Sequence, residues 1–136
     1  MKGDIMKKKE IVYVSGISDG LIAATVPISP AVKANGFVFV SGMPPMDVKT
    51  GKIIKGDIRK QTKFALEAVK YALASAGSSL DKVVSVRVYA SNSAYFGTIN
   101  EVYKRYFKRN PPARTFVTVG SWPMEFDIEV ECIALA

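Results

Sequence analysis

The chain has 136 residues, 49% of them apolar, with 19 basic against 12 acidic side chains, one cysteine and no histidine. That length suits one domain, 1–136, with a real hydrophobic core. A single cysteine excludes an internal disulfide, the missing histidine removes the commonest general base, and no apolar run approaches the ~18 residues of a membrane span.

The first ten residues are charged and lack the apolar centre of a signal peptide. A cytoplasmic protein with a flexible start at 1–8 is expected. The net charge of +7 is scattered over Lys7–Lys9, Lys60, Lys63, Lys70, Lys104, Arg105, Lys108 and Arg109. No Arg-rich arm or RNP-like motif gathers it, which argues against nucleic acid as the main partner.

In chain order, Glu10 to Val14 is a short β-type run stopped by Gly16. Leu21 to Val26 reads as a second strand, with Asp19-Gly20 as the turn between them. Pro27 and Pro30 predict an irregular segment. Gly36 to Gly42 is almost wholly apolar and reads as a central strand buried on both faces. Asp57 to Ala76 has apolar residues at helical spacing, an N-cap in Asp57 and a C-terminal stop in Gly77. Val83 to Tyr89 is a strand, and a helix from about Ala94 to Arg109 follows, capped by Asn92 or Ser93 and ended by Pro111-Pro112. Strands from Arg114 to Val119 and from Phe126 to Ile133 close the chain.

The expected order is therefore β-β-β-α-β-α-β-β. Two single-striped helices cover only one face of a six-stranded sheet. On the last strand Asp127, Glu129 and Glu131 alternate with Ile128, Val130 and Cys132, and on the strand before it Arg114, Phe116 and Thr118 share a face. The uncovered face is mixed in character, which predicts an oligomer with sites between subunits.

Arg114 stays protonated and offers a fork of donors that matches a carboxylate, so its natural task is to anchor an anion. Its ordinary structural use would be an ion pair with Glu129 or Glu131, or exposure at a strand start. Glu129, expected on a neighbouring strand, could orient and deprotonate water; Asp127 and Glu131 share its face and compete for that role. Cys132 alternates with core residues and has no histidine to activate it. Ser41 is not in a G-x-S-x-G elbow, and no Walker A sequence, dinucleotide fingerprint or metal-ligand cluster is present. Trp122, between the last two strands, lines a pocket or packs locally.

Several segments resemble the RidA/YjgF family of imine and enamine deaminases, whose members also carry endoribonuclease L-PSP or translation-inhibitor labels. They are Asn35 to Gly42, Gln61-Thr62, Thr98 to Tyr103, Pro112-Ala113-Arg114 and Ile128 to Glu131. The resemblance implies an α+β, chorismate-mutase-like subunit, with a six-stranded mixed sheet and two helices on one face. It also implies a homotrimer with three clefts between subunits. The implied activity is cofactor-free hydrolysis of 2-imino or 2-enamino acids, such as 2-iminobutanoate and 2-iminopropanoate, to 2-keto acids and ammonia. Arg114 then matches the carboxylate-binding arginine and Glu129 the glutamate near the attacking water. Ser41 and Gly42 match a pocket segment, Asn100 a helix asparagine near the site, and Tyr89 an apolar or aromatic wall. Two positions depart from the pattern. Ala31 stands where a tyrosine is frequent, and Phe116 where a cysteine is frequent, so both are expected to alter the pocket lining. The alternatives are a non-catalytic trimer that binds small carboxylates as a sensor or holdase, or a catabolic deaminase for a larger substrate such as 2-aminomuconate.

Overall fold

The computed structural model describes residues 8–136, so the expected flexible start lies outside the described residues except for Lys8. The longest helix, α2 (Ile58–Ser75), forms where the apolar spacing predicts it. The Asp57 carboxylate accepts the Lys60 backbone N–H at 2.9 Å, and Gly77 leaves the helix at φ +78°. Ala65, Leu66, Ala68, Val69, Ala72 and Leu73 give α2 a fully buried stripe. The second long helix, α3 (Phe96–Tyr106), is shorter than expected. A 3-10 turn over Ser93–Tyr95 leads into it, with Asn92 accepting the Ala94 N–H at 2.8 Å.

Six strands form one sheet: β1 (Glu10–Val12), β2 (Ala31–Ala34), β3 (Phe37–Met43), β4 (Val83–Ala90), β5 (Ala113–Thr118) and β6 (Ile128–Leu135). Their spatial order is β1-β2-β3-β6-β4-β5, with β4 and β5 parallel and the other pairs antiparallel. The last strand therefore inserts between β3 and β4. The β3-α2-β4 and β4-α3-β5 crossovers run in the same direction across the sheet. Such connections are right-handed, so both helices fall on one face. There α2 packs on α3, β3 and β6.

Three expectations need correction. The segment read as a strand over Leu21–Val26 begins in a short helix, α1 (Ile17–Ala23), whose first turn contains the supposed Asp19-Gly20 hairpin turn. Asp19 accepts the Gly16 N–H at 3.0 Å and the Tyr13 hydroxyl, and these local bonds favour a helix start. The segment from Pro27 to Pro30 is irregular, as expected, and β2 follows it at once, a position where the missing N–H of Pro30 costs the sheet nothing. β3 is not buried on both faces, since Val38 and Val40 are buried while Phe39 is exposed. The strands of Arg114 and Glu129 are not neighbours, because β4 lies between them.

The two sheet faces differ sharply. Val38, Val40, Val86, Val88, Val130, Cys132 and Ala134 point to the helices and are buried. The opposite face carries Ile11, Val32, Phe37, Phe39, Ile133, Leu135 and Val117 together with Ser41, Arg87, Tyr89, Glu129 and Glu131. Ile11 (53%), Phe39 (42%), Leu135 (47%) and Val117 (40%) are exposed in the single chain. No helix of the described residues is long and apolar enough to cross a membrane.

Candidate active site

Pro111 and Pro112 lead the chain extended into β5, where Arg114 lies in register with the buried Val86 and so points to the helix side. Its Nη1 donates to the Asn100 side-chain oxygen at 2.7 Å. The guanidinium carbon sits 4.7 Å from the Tyr103 ring centroid and 5.6 Å from that of Phe96. Phe96 meets Phe116 edge-to-face at 5.0 Å and 82°. A guanidinium held by a neutral acceptor and two ring faces keeps its charge and its orientation; each ring contact contributes roughly 0.5–2 kcal/mol. Arg114 makes no ion pair among the described residues, so the expected structural pairing with Glu129 or Glu131 is absent. Tyr103 is buried beneath it, its hydroxyl has no hydrogen-bond partner among the described residues, and burial pushes its pKa up to about 12. Tyr103 therefore supplies a ring rather than a base.

Glu129 projects from β6 on the opposite, uncovered face, directly across from Tyr89 of β4. Strand alternation predicts three carboxylates on that side, and the structure separates them. Asp127 accepts from Gln61 at 3.0 Å and Ser91 at 2.8 Å, and its own N–H donates to Gln61 at 2.7 Å. Gln61 is buried, so this clamp fixes the start of β6 to α2. Glu131 accepts from the Tyr89 hydroxyl and lies 3.8 Å from Arg87. Glu129 has neither arrangement. Burial holds its carboxyl above the ordinary glutamate range; a hydrogen bond from Trp122 opposes the shift and the Glu131 charge adds to it. A half-buried carboxyl titrating closer to neutrality is better suited to proton transfer than an exposed one.

Gly42 explains how the carboxylate fits. A β-bulge interrupts the β3–β6 register between Val40 and Met43, and the Glu129 side chain lies across the backbone there. A Cβ on Gly42 would stand 2.6 Å from the Glu129 carboxyl carbon, far inside contact distance. The Ser41 hydroxyl donates to the Ser29 carbonyl at 2.7 Å and ties β3 to the segment before β2.

The predicted site residues thus form two groups. Arg114, Asn100 and Phe116 come together on the helix side at the β5 edge. Glu129, Gly42, Ser41 and Tyr89 come together on the uncovered face. Within one chain the sheet separates the groups, and neither completes a site. Ala31 joins neither: it is fully buried in the core, paired with Val40 and facing the helices, so it does not line a surface of its own chain. Phe96 and Tyr103 were visible in the sequence only as part of an apolar stripe. Their spacing from Asn100, four residues before and three after, placed all three on one helix face and was the available signal. Cys132 is core, with burial pushing its thiol up to about 12. Among the described residues no group of three or more His, Cys, Asp or Glu is placed to hold a metal.

The fold and these placements define a class that comparison makes specific. The family model described as endoribonuclease L-PSP matches residues 20–136. The chain belongs to this family, the RidA/YjgF family. A RutC family protein of Pyrococcus horikoshii is 46% identical over 108 residues, covering 79% of this chain and 86% of the relative. The chloroplastic Reactive Intermediate Deaminase A of Arabidopsis thaliana is 35% identical over 127 residues, covering 93% of this chain and 66% of that protein. The structure of a candidate endoribonuclease from Thermotoga maritima superposes with a TM-score of 0.83 at 38% identity, covering 96% of this chain and 98% of that one.

Proposed function

We propose that the protein hydrolyses 2-imino and 2-enamino acids to 2-keto acids and ammonia, in sites that each take Arg114 from one subunit of a homotrimer and Glu129 from another. The observation that carries this reading is the division just described. Among the described residues Arg114 has no acidic partner and Glu129 no basic one, and the two lie on opposite faces of one chain. The exposed Phe39, Leu135 and Val117 around Glu129's face supply apolar surface for a second copy. In a cyclic oligomer each subunit offers one patch to one neighbour and a different patch to the next, so two half-sites on different faces become whole sites at every seam. The relative named as a reactive intermediate deaminase supports the chemistry.

The chemistry follows from the groups. Arg114 takes the substrate carboxylate in its fork and fixes the position of the adjacent C=N carbon. Glu129, as the carboxylate, accepts a proton from water as the water oxygen bonds to that carbon and the π electrons move to nitrogen. The carbinolamine formed from the protonated imine then collapses: Glu129 returns the proton to nitrogen, the C–N bond breaks, and the hydroxyl oxygen forms the C=O bond as its own proton passes to the departing ammonia, which leaves as ammonium. An enamine reaches the same path after protonation at carbon. Imines already hydrolyse in water, so positioning supplies much of the required acceleration.

The test is ammonia release from an imine generated in situ by an amino-acid oxidase. Arg114→Ala should abolish the excess over the uncatalysed rate while the circular dichroism spectrum is retained. Undiminished turnover in that variant would remove the anchor from the mechanism.

A further inference from the structure

We infer that the Arg114 side of the site selects 2-imino acids with an aromatic or other large apolar side chain, and that Phe116 and Phe96 are the wall that selects them. This rests on the deaminase reading above. Arg114 and Phe116 are two residues apart on one face of β5, so their backbone origins are separated by about 6–7 Å. Phe96 spans that gap: it contacts the guanidinium at 5.6 Å and the Phe116 ring at 5.0 Å. Cation, bridging ring and second ring therefore form one continuous surface.

Burial shows that this surface is not simply core. Phe96 is 45% exposed, whereas Ile99, three residues later on the same helix, is fully buried. Phe116 is half-buried, packed against the core on one side. An edge-to-face pair presents a ring face beside a ring edge, which suits a third ring. With a carboxylate in the fork, a methyl side chain ends short of Phe116, while a benzyl group spans the distance and contacts both rings. The rings offer no hydrogen-bonding atom, so a charged side chain placed there would lose hydration without recovering a partner.

The experiment compares kcat/KM for imines made in situ from amino acids with methyl, ethyl and benzyl side chains. Wild type should favour the benzyl over the methyl imine by on the order of tenfold or more, and Phe116→Ala should narrow that ratio by about tenfold. Phe116→Leu, which keeps an apolar wall and serves should the alanine variant fold poorly, should retain part of the preference. Methyl imines turned over as well as benzyl ones, or a ratio unmoved by either substitution, would overturn the assignment. If no imine is hydrolysed, the deaminase reading fails separately, and calorimetry with 2-keto acids still decides the wall. A benzyl-bearing keto acid that binds roughly tenfold tighter than a methyl-bearing one, only while Phe116 is present, supports it; equal affinities reject it.

Discussion

The two ends of the proposed chemistry are held in opposite ways. Arg114 is fixed by neutral neighbours, an amide oxygen and two rings, which orient the cation without neutralising it. Glu129 is fixed by space: a glycine beneath it, half-burial around it, and neighbouring carboxylates that are each tied to other groups. The anchor needs a permanent charge and direction, and close packing supplies the direction without touching the charge. The proton carrier needs a titration that responds to its surroundings, and a permanently paired cation would lower its pKa. Placing the two on opposite faces keeps them from forming an ion pair within one chain; in the proposed site the substrate carboxylate lies between them and takes up the guanidinium charge.

Breaking the anchor should have the largest effect. Arg114→Ala removes two charge-assisted bonds to substrate, on the order of a 10³-fold loss in kcat/KM, and Arg114→Lys should restore little because an ammonium lacks the planar fork. Breaking the carrier comes next: Glu129→Gln should lower kcat by roughly 10²-fold. Wild-type activity should fall on acidification at a pH above the ordinary glutamate range, and that limb should vanish in the glutamine variant. The stability change has the opposite sign. A folded-state pKa raised above its unfolded value contributes stability that is full below the unfolded pKa and lost as pH rises through the folded one. Glu129→Gln should therefore match or exceed wild type in Tm at neutral pH, with the difference closing in acid. The smallest effect tests the space itself. Gly42→Ala should displace the carboxylate, costing about 1–3 kcal/mol of stability or a comparable loss of rate, and it should leave carboxylate binding at Arg114 intact by calorimetry.

Much of this arrangement was legible in the sequence. The alternation along the last strand places Glu129 and Glu131 away from Cys132, and the helix boundaries at Asp57 and Gly77 follow from capping chemistry. What could not be read was long-range. Arg114 and Glu129 are fifteen residues apart in the chain, which suggests adjacent strands, yet β6 enters between β3 and β4 because Val130 and Cys132 pair there against Val88 and Val86. The choice among three carboxylates likewise depended on Gln61, Ser91 and Arg87, residues remote in sequence. At the N-terminal side, the Tyr13–Asp19–Gly16 bonds turned a β-like composition into α1, and no periodicity over so short a segment announces that.

The central claim is that Arg114 and Glu129 act together only across a subunit seam, and mixing two inactive variants tests it most directly. Arg114→Ala and Glu129→Gln chains, each inactive alone, are unfolded, combined in equal amounts and refolded together. If sites form between neighbours in a ring, roughly one quarter of the seams in randomly mixed oligomers carry both intact residues, and about that fraction of wild-type activity should return. Activity that stays at the level of the separate variants, in oligomers shown by mass spectrometry to be mixed, would contradict the account.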